Sequence, residues 1–487
     1  MKLLKDILYG TRMLEVLGST NIAIENVSAD SRKIQKNGLF VATRGTVVDG
    51  HDFIPTAIKN KAIAVVCEEF PAELASGVAY IKVADSQKSL GIIASNFFDQ
   101  PSKELKLVGV TGTNGKTTVA TLLYQAFREL GYKVGLLSTV VNKINFLDVP
   151  ATHTTPDPVT LNSLLRQMAN AGCSFCFMEV SSHAVVQERI AGLTFAGAIF
   201  TNITHDHLDY HKTFDNYLGA KKQFFDQLPT NAFAITNKDD KNGLVMVQNT
   251  KARVYTYALL SPADIKVKII DNQLSGLHLV VDGTEVHTRL IGKFNAYNLA
   301  AIYTAGIKLG QDPLQMLTVI SNLSAVAGRF QYIKTGGNVT AIVDYAHTPD
   351  ALENVLKTIQ DIRSGNEKII TVVGCGGDRD KAKRPEMAAI AVRMSDKVIL
   401  TSDNPRTEDP NQIINDMKAG IGGEYFAKYT TIADRLEAIK TACVEANAGD
   451  ILLIAGKGHE NYQEIQGVKH PFNDYEITQA TLKILKK

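Results

Sequence analysis

Apolar positions in this chain fall into two alternating patterns. Short continuous runs are separated by stretches in which apolar residues recur every three to four positions. A short apolar run bounded by helical segments reads as a strand of a parallel sheet whose two faces are both covered. Runs at 38–42 and 62–67 belong to a first unit, residues 1–103, closed by Gln100-Pro101-Ser102, which reads as a linker. Runs at 105–110, 134–138, 175–180, 198–202 and 232–237 form a second unit, residues 104–330. Runs at 339–343, 368–373, 397–401 and 451–455 form a third, residues 331–487. The prediction is an α/β protein of three units with mainly parallel sheets, and a length of 487 residues agrees with three domains.

One helical stretch carries chemistry at its start. Val119, Leu122, Leu123, Ala126, Phe127 and Leu130 make one apolar stripe, and Gly131 follows as a C-cap. Between this helix and the run at 105–110 lies Thr111-Gly112-Thr113-Asn114-Gly115-Lys116-Thr117-Thr118. Strand, glycine loop and helix are the context of a phosphate-binding loop. Backbone N–H groups receive phosphate oxygens, Lys116 adds a point charge, and the Thr117 hydroxyl can hold Mg²⁺. The general Gly-x-x-x-x-Gly-Lys pattern would need a glycine at 110, where the chain has Val110; Gly112 comes two residues later.

Composition narrows the setting. The chain is 45% hydrophobic and 21% charged, ordinary for a globular protein. A net charge of +2 implies no nucleic-acid partner, no run reaches membrane length, and the N-terminus lacks a signal-peptide core. Five scattered cysteines point to a reducing cytoplasm, and Cys173-x-x-Cys176, with no second pair, reads as buried structural cysteine.

Further candidates follow strand ends, where parallel sheets bind ligands. Glu179 ends the run at 175–180 and precedes Ser181-Ser182-His183. The next run leads into His205-Asp206-His207-Leu208-Asp209-Tyr210-His211. Beside a phosphate loop, Glu179, His207 and Thr117 form a candidate Mg²⁺ set. Lys221 sits on the apolar stripe of a helix over 214–228. It is either a snorkelling stem or an amine made neutral by burial, able to take up CO₂ as an anionic carbamate ligand. Asn237-Lys238-Asp239-Asp240 imitates the guanine-reading motif of GTPases, but no Asp-x-x-Gly precedes it, so a GTP switch is the distant alternative.

In the third unit three polar loops follow successive runs. They are Gly374-Cys375-Gly376-Gly377-Asp378-Arg379, Asp403-Asn404-Pro405-Arg406 and Gly456-Lys457-Gly458-His459-Glu460. Arg379 and Arg406 could fork onto carboxylates and Glu460 onto an ammonium, the recognition set for a zwitterion with an extra carboxylate. Taken singly, each loop also reads as a surface salt bridge.

The loop Thr-Gly-Thr-Asn-Gly-Lys-Thr, together with these motifs, resembles the Mur ligase family, over essentially the whole length. The family joins amino acids to carboxylates with ATP and also includes folylpolyglutamate synthetase. The resemblance implies an N-terminal UDP-binding domain, a central ATPase domain and a C-terminal Rossmann-like amino-acid-binding domain. It implies ATP contacts at Gly112 to Thr118, Asn295, Arg329 and Asp344, and a carbamylated Lys221. It implies contacts with UDP-N-acetylmuramoyl-L-alanyl-D-glutamate at Ser31, Thr46, Val47, Val48, Thr154, Thr155, Ser181, Gln187 and Arg189, and at His153, where some members carry asparagine. Asp-Asn-Pro-Arg at 403–406 matches the signature for meso-diaminopimelate, with Arg379, Gly456 and Glu460 completing that pocket. Lysine-adding relatives lack the arginine. The implied activity is Mg²⁺- and ATP-dependent amide formation in peptidoglycan precursor synthesis, with Lys116, Lys221 and His207 catalytic, in a monomeric cytoplasmic enzyme. A lysine-adding or folylpolyglutamate synthetase-like ligase is the alternative.

Overall fold

The computed structural model describes the chain except Thr46, Val47, residues 335–337 and Ser364. Three sheets follow one another. The first has the strand order Met13–Leu17, Ala79–Val83, Ala62–Cys67, Gly38–Val41 and Asn26–Ser28, parallel apart from its first pair.

The second sheet has eleven strands. Six neighbours at its centre run parallel in the order Val134–Leu137, Phe175–Glu179, Lys106–Thr111, Gly197–Phe200, Phe233–Asn237 and Arg253–Ala258. From Lys106–Thr111 the chain moves to one side of the sheet, and after Phe175–Glu179 it crosses to the other. The carboxyl ends beside that reversal form the crevice in which open α/β sheets bind ligands. The helix predicted after the phosphate loop spans Lys116–Glu129, and five of its six stripe residues are buried, Leu130 partly so. A helix at Phe214–Asp226 buries Tyr217, Lys221, Phe224 and Phe225.

Further strands extend this sheet at both edges, paired antiparallel except where Ile265–Gln273 joins Arg253–Ala258 in parallel. The hairpin Asn142–Ile144 and Leu147–Val149 lies at one edge; Ile265–Gln273, Gly276–Val281 and Thr284–His287 lie at the other. In the latter, Ile265, Val267, Leu277, Leu279 and Val281 are buried while Lys266 and Lys268 are exposed. This period-2 alternation puts one face on the helix Lys293–Lys308 and leaves the other in solvent.

The third sheet runs Gln331–Lys334, Thr340–Asp344, Ile451–Ala455, Ile369–Cys375, Lys397–Ser402 and Tyr429–Thr431, parallel apart from its first pair. Two of its strand ends are fixed by one buried ion pair. Arg435 and Asp474 have fully buried side chains and meet through two bonds, Nε to Oδ1 at 2.9 Å and Nη2 to Oδ2 at 2.7 Å. The same guanidinium donates to the carbonyls of Ser402 at 3.3 Å and Ala455 at 3.0 Å. Among the described residues no helix is long and apolar enough to cross a membrane.

Removing one member of this pair leaves the other charge buried and unmatched. Arg435→Ala should destabilise the protein by about 3–5 kcal/mol, whereas Arg435→Met combined with Asp474→Leu should retain most of the stability. Denaturant unfolding of the two variants checks this; equal losses would mean that packing rather than charge decides.

Candidate active site

The phosphate loop is held by the strand beside it. Thr113 N donates to Asn202 O at 2.8 Å, Asn114 N to Asn202 Oδ1 at 3.0 Å, and Thr201 Oγ1 to Asn114 O at 2.6 Å. Only glycine fits at two points. A Cβ on Gly112 would lie 1.9 Å from Thr201 Oγ1, and Gly115 has φ +88° with Asn298 Oδ1 2.7 Å from where its Cβ would be. The helix from Lys116 therefore starts with its first N–H groups open toward the crevice. Lys116 Nζ folds back onto the carbonyls of Gly112 at 2.9 Å and Thr113 at 2.8 Å. Burial lowers its pKa.

Thr117 and Glu179 come together as the sequence suggests. Thr117 Oγ1 donates to Glu179 Oε2 at 2.9 Å and accepts from Arg329 Nη2 at 3.1 Å. Glu179 Oε1 accepts from Thr139 N at 2.7 Å. Lys221 is 1% exposed, and its Nζ donates to the Gly112 carbonyl at 2.7 Å, 4.7 Å from the centre of the Tyr217 ring. Burial, reinforced by Lys116, holds its pKa well below that of an ordinary lysine. The amine is thus buried rather than snorkelling. His207 has a left-handed backbone, φ +56°, and packs edge-on against His183 with ring centres 5.1 Å apart. Burial lowers its pKa, against the pull of Asp206, so the ring is an unprotonated donor. Thr117 and Glu179 offer adjacent oxygen donors beside the phosphate loop, the hard donor type that would suit Mg²⁺.

Residues implied for the dipeptide lie on the same side of the sheet. Thr155 Oγ1 donates to Glu179 O at 2.9 Å, and Arg189 Nη1 donates to Thr155 O at 2.7 Å. Gln187 Oε1 accepts from Arg189 Nε and Nη2, which orients that guanidinium. His153, Thr154, Thr155, Ser181 and Arg189 line the crevice; Gln187 does not. Ser31 and Val48 belong to the first unit and lie outside this crevice. Ser31 is buried in a short helical turn capped by Asp30, and Val48 is exposed. Thr46 and Val47 lie outside the described residues.

The third-unit loops face the same space. A continuous cavity of about 1790 Å³ is lined by the phosphate loop, Glu179, Lys221, Arg329 and Asp344, and by Arg379, Asp403, Asn404, Arg406, Gly456 and Glu460. Asn404 is the hub of its loop: Nδ2 donates to Glu460 Oε2 at 2.7 Å, and Oδ1 accepts from Lys457 Nζ at 3.0 Å and Glu464 N at 2.9 Å. Arg406 has φ +51° and donates through Nη1 to Gly377 O at 2.7 Å. Pro405 shapes the turn but does not line the cavity, and Arg379 is exposed at its rim. Asn295 also stays out of the cavity, because its amide is used within its own helix, donating to Ile291 O and accepting from Asn298.

Several contributing residues escape sequence reasoning. Arg384, fully buried, donates to both oxygens of Glu408, at 2.9 and 2.8 Å, and to Asp416, so it ties the 374–380 loop to the 403–408 loop. Asp350 Oδ2 accepts from Asn114 Nδ2 at 2.8 Å and Thr204 Oγ1 at 3.1 Å, joining the third unit to the phosphate loop. Lys457 has a fully buried side chain and reaches Glu460 Oε2 at 2.8 Å. The pairing of such residues depends on which loops the fold brings together. The one usable sequence signal was Lys457 inside a motif already singled out.

Comparison with known proteins follows the same three segments. Residues 23–98 match the Mur ligase family catalytic domain, 110–306 the Mur ligase middle domain, and 328–458 the Mur ligase glutamate ligase domain. The chain is 56% identical to the UDP-N-acetylmuramoyl-L-alanyl-D-glutamate--2,6-diaminopimelate ligase of Bacteroides fragilis, over 97% of this chain and 98% of that protein. It is 56% identical to the ligase of the same name from Cytophaga hutchinsonii, over 99% of this chain and 100% of that protein. A solved structure of a ligase of that name superposes with a TM-score of 0.71 at 32% identity, covering 100% of this chain and 99% of that one.

Asp344 gives the site a pH-dependent cost. Burial pushes its carboxyl up to about 6, against the pull of Arg329 and of the Phe330 N–H, 2.6 Å away. A folded pKa above the unfolded value of about 3.9 means a contribution to stability that is present below that value and lost as pH rises through about 6. Asp344→Asn should therefore gain stability above pH 6, by up to about 3 kcal/mol, and gain nothing below pH 4. Melting temperatures of both proteins across pH 4–8 check the crossover, and parallel curves would refute it.

Proposed function

The chain belongs to the Mur ligase family, and from that premise we propose that it joins meso-diaminopimelate to the D-glutamate of UDP-N-acetylmuramoyl-L-alanyl-D-glutamate with ATP. The observation that carries the reading is the single cavity shared by the phosphate loop and the Arg406 loop. A phosphorylated intermediate made at one wall can meet an amine held at the other. Relatives 56% identical over nearly the whole chain carry that activity in their names, which supports the same substrates here. We assign residues 1–103 to UDP binding, 104–330 to ATP use and 331–487 to the amino acid.

The reaction divides into two displacements. The D-glutamate γ-carboxylate attacks the γ-phosphorus of ATP, an O–P bond forms, and ADP leaves. The diaminopimelate amine then attacks the acyl carbon of this acyl phosphate, and the C–O bond to phosphate breaks. Little covalent work falls to the protein; positioning and charge neutralisation carry such transfers. Lys116 and the open N–H groups from Gly115 to Thr118 receive the β- and γ-phosphates. Arg329, bonded to Thr117, adds a second cation at the same place. Thr117 and Glu179 hold Mg²⁺, which neutralises phosphate charge. His207 and Lys221 as its carbamate serve a metal on the carboxylate side. Asp344 accepts a ribose hydroxyl. Arg189 and the Thr154–Thr155 segment align the dipeptide. Glu460 and Asp403 take the diaminopimelate ammonium groups, while Arg406 and Arg379 take its carboxylates.

Lys221 should carry CO₂. A buried amine whose basicity is depressed by burial and by a second lysine motivates this, because an amine that loses its proton readily is the form that adds CO₂. Lys221→Ala should be nearly inactive and partly rescued by a short carboxylic acid. Intact-protein measurement in bicarbonate that finds only free amine in fully active enzyme would refute it.

The amino-acid pocket makes the sharper test. Diaminopimelate differs from lysine by a second carboxylate, and lysine would leave Arg406 with only its protein partners, Gly377 O and the Glu464 carboxylate. Discrimination should reach several kcal/mol, on the order of a thousandfold in kcat/KM. Arg406→Ala should raise the KM for diaminopimelate and narrow the gap between the two. Phosphate release measured with the UDP-dipeptide and each amino acid checks both; equal use of L-lysine by the wild type would overturn the assignment of substrate while leaving the ligase.

A further inference from the structure

Deprotonation of the attacking amine has no residue in the scheme above. Diaminopimelate arrives as an ammonium ion, and attack needs a lone pair. Most acidic side chains in the cavity are already engaged. Glu179 accepts from Thr117 and Thr139, and Asp350 accepts from Asn114 and Thr204. Glu460 accepts from Lys457 and Asn404. Asp403 lines the cavity, but an anion paired with an ammonium stabilises the protonated amine, the opposite of what attack requires.

His459 stands apart. It follows the strand Ile451–Ala455 on a backbone pressed against the start of the third unit: a Cβ on Gly328 would lie 2.1 Å from His459 N, and one on Gly458 would lie 2.7 Å from Gly328 O. The backbone that carries the ring therefore lies against the residue preceding Arg329. The ring packs at 5.0 Å from the Tyr345 ring and lines the cavity between Glu460 and Arg329. Its Nδ1 is buried with no hydrogen-bond partner, so Nε2 is the nitrogen open to the cavity. An imidazole with both nitrogens uncommitted to the protein is a poor structural choice unless a ligand uses it.

We propose that His459 is a catalytic residue of the ligation step, its Nε2 receiving a proton from the diaminopimelate ammonium as the amine attacks the acyl phosphate. The inference rests on the ligase reading given above. The ammonium gives one proton to Nε2, forming imidazolium, and its freed lone pair makes the C–N bond. The C–O bond to phosphate then breaks with its electron pair on the phosphate oxygen. The second amine proton goes to the departing phosphate, and the imidazolium releases its proton to water. Burial beside Arg329 and Lys457 lowers the pKa of the free ring to about 3, which keeps it unprotonated but a weak base until those charges are offset. ATP phosphates bound at Arg329 offset the nearest of those charges, which raises the ring's basicity when the site is loaded.

The experiment separates the two half-reactions. Hydroxylamine is largely neutral near pH 7 and traps an acyl phosphate as the hydroxamate without needing a base. Wild type with ATP, Mg²⁺ and the UDP-dipeptide should form hydroxamate with hydroxylamine and amide with diaminopimelate. His459→Gln, which keeps the bulk, should form hydroxamate at the wild-type rate while diaminopimelate ligation falls on the order of a hundredfold. That deficit should shrink as pH rises and more of the amine is neutral. Equal loss of both products would make His459 structural, and unchanged ligation would make it a bystander; either overturns the proposal. The same split in His347→Gln, with His459→Gln unaffected, would move the base to the neighbouring histidine. Absence of hydroxamate from the wild type would instead remove the acyl phosphate itself, and with it the reading on which the inference stands.

Discussion

The carbonyl oxygen of Gly112 accepts from two lysine amines, that of buried Lys221 at 2.7 Å and that of half-buried Lys116 at 2.9 Å, and the rest of the site follows from that crowding. Two ammonium ions on one carbonyl, away from solvent, repel each other strongly, because the Coulomb term grows as the local dielectric falls. Desolvation and mutual repulsion therefore act in the same direction on Lys221 and hold its pKa well below that of an ordinary lysine. Lys116 keeps a reason to be charged, since the phosphates it faces are anions. Gly112 has to be glycine for this geometry, with Thr201 where a Cβ would be. A departure from the usual phosphate-loop spacing thus places one carbonyl between the lysine of the loop and a buried second lysine.

A second constraint acts on the opposite wall. The amino-acid loops leave the ends of neighbouring strands, and such ends fray unless tied. Arg435 holds the carbonyls of Ser402 and Ala455, each one residue before a cavity-lining residue, Asp403 and Gly456. Arg384 does the same for the Gly376 loop and the loop carrying Arg406. In both cases a buried cation is matched by carboxylates, which makes the desolvation cost tolerable. These arginines touch no substrate, yet they fix where Arg406 and Glu460 can be.

The sequence made the parallel core legible because strands covered on both faces read as unbroken apolar runs, and every run singled out became a strand within one or two residues at each end. The antiparallel edge over 265–287 was not recognised. Its strands alternate buried and exposed positions, a weaker signal, although Ile265-Lys266-Val267-Lys268 carries it plainly. In the site, residues next to strand ends were legible, since position along a parallel strand tells which end a side chain occupies. Glu179 and Asp403 are of this kind. Asn295 illustrates the limit: resemblance points to a nucleotide contact, but a helix that spends the amide on Ile291 and Asn298 cannot be read from the residue alone. Asp350 and Arg384 were invisible because their partners lie in loops distant along the chain.

The two walls are joined by an apolar patch, where Ile291 and Phe294 pack with the core of the third unit, and by a few polar bonds. Asp350 reaches Asn114 and Thr204 through two of these, and Arg329, at the end of the central unit, reaches Thr117 at 3.1 Å. Each is worth on the order of 1 kcal/mol net, somewhat more where a charge takes part. Asn114, Thr117, Thr204, Arg329 and Asp350 all line the cavity, so a ligand there meets these polar bonds directly. The residues involved are those that meet phosphate: Arg329 carries a charge toward it, and Asn114 lies in the loop that cradles it. A bound nucleotide therefore alters the same contacts that set the distance between the walls.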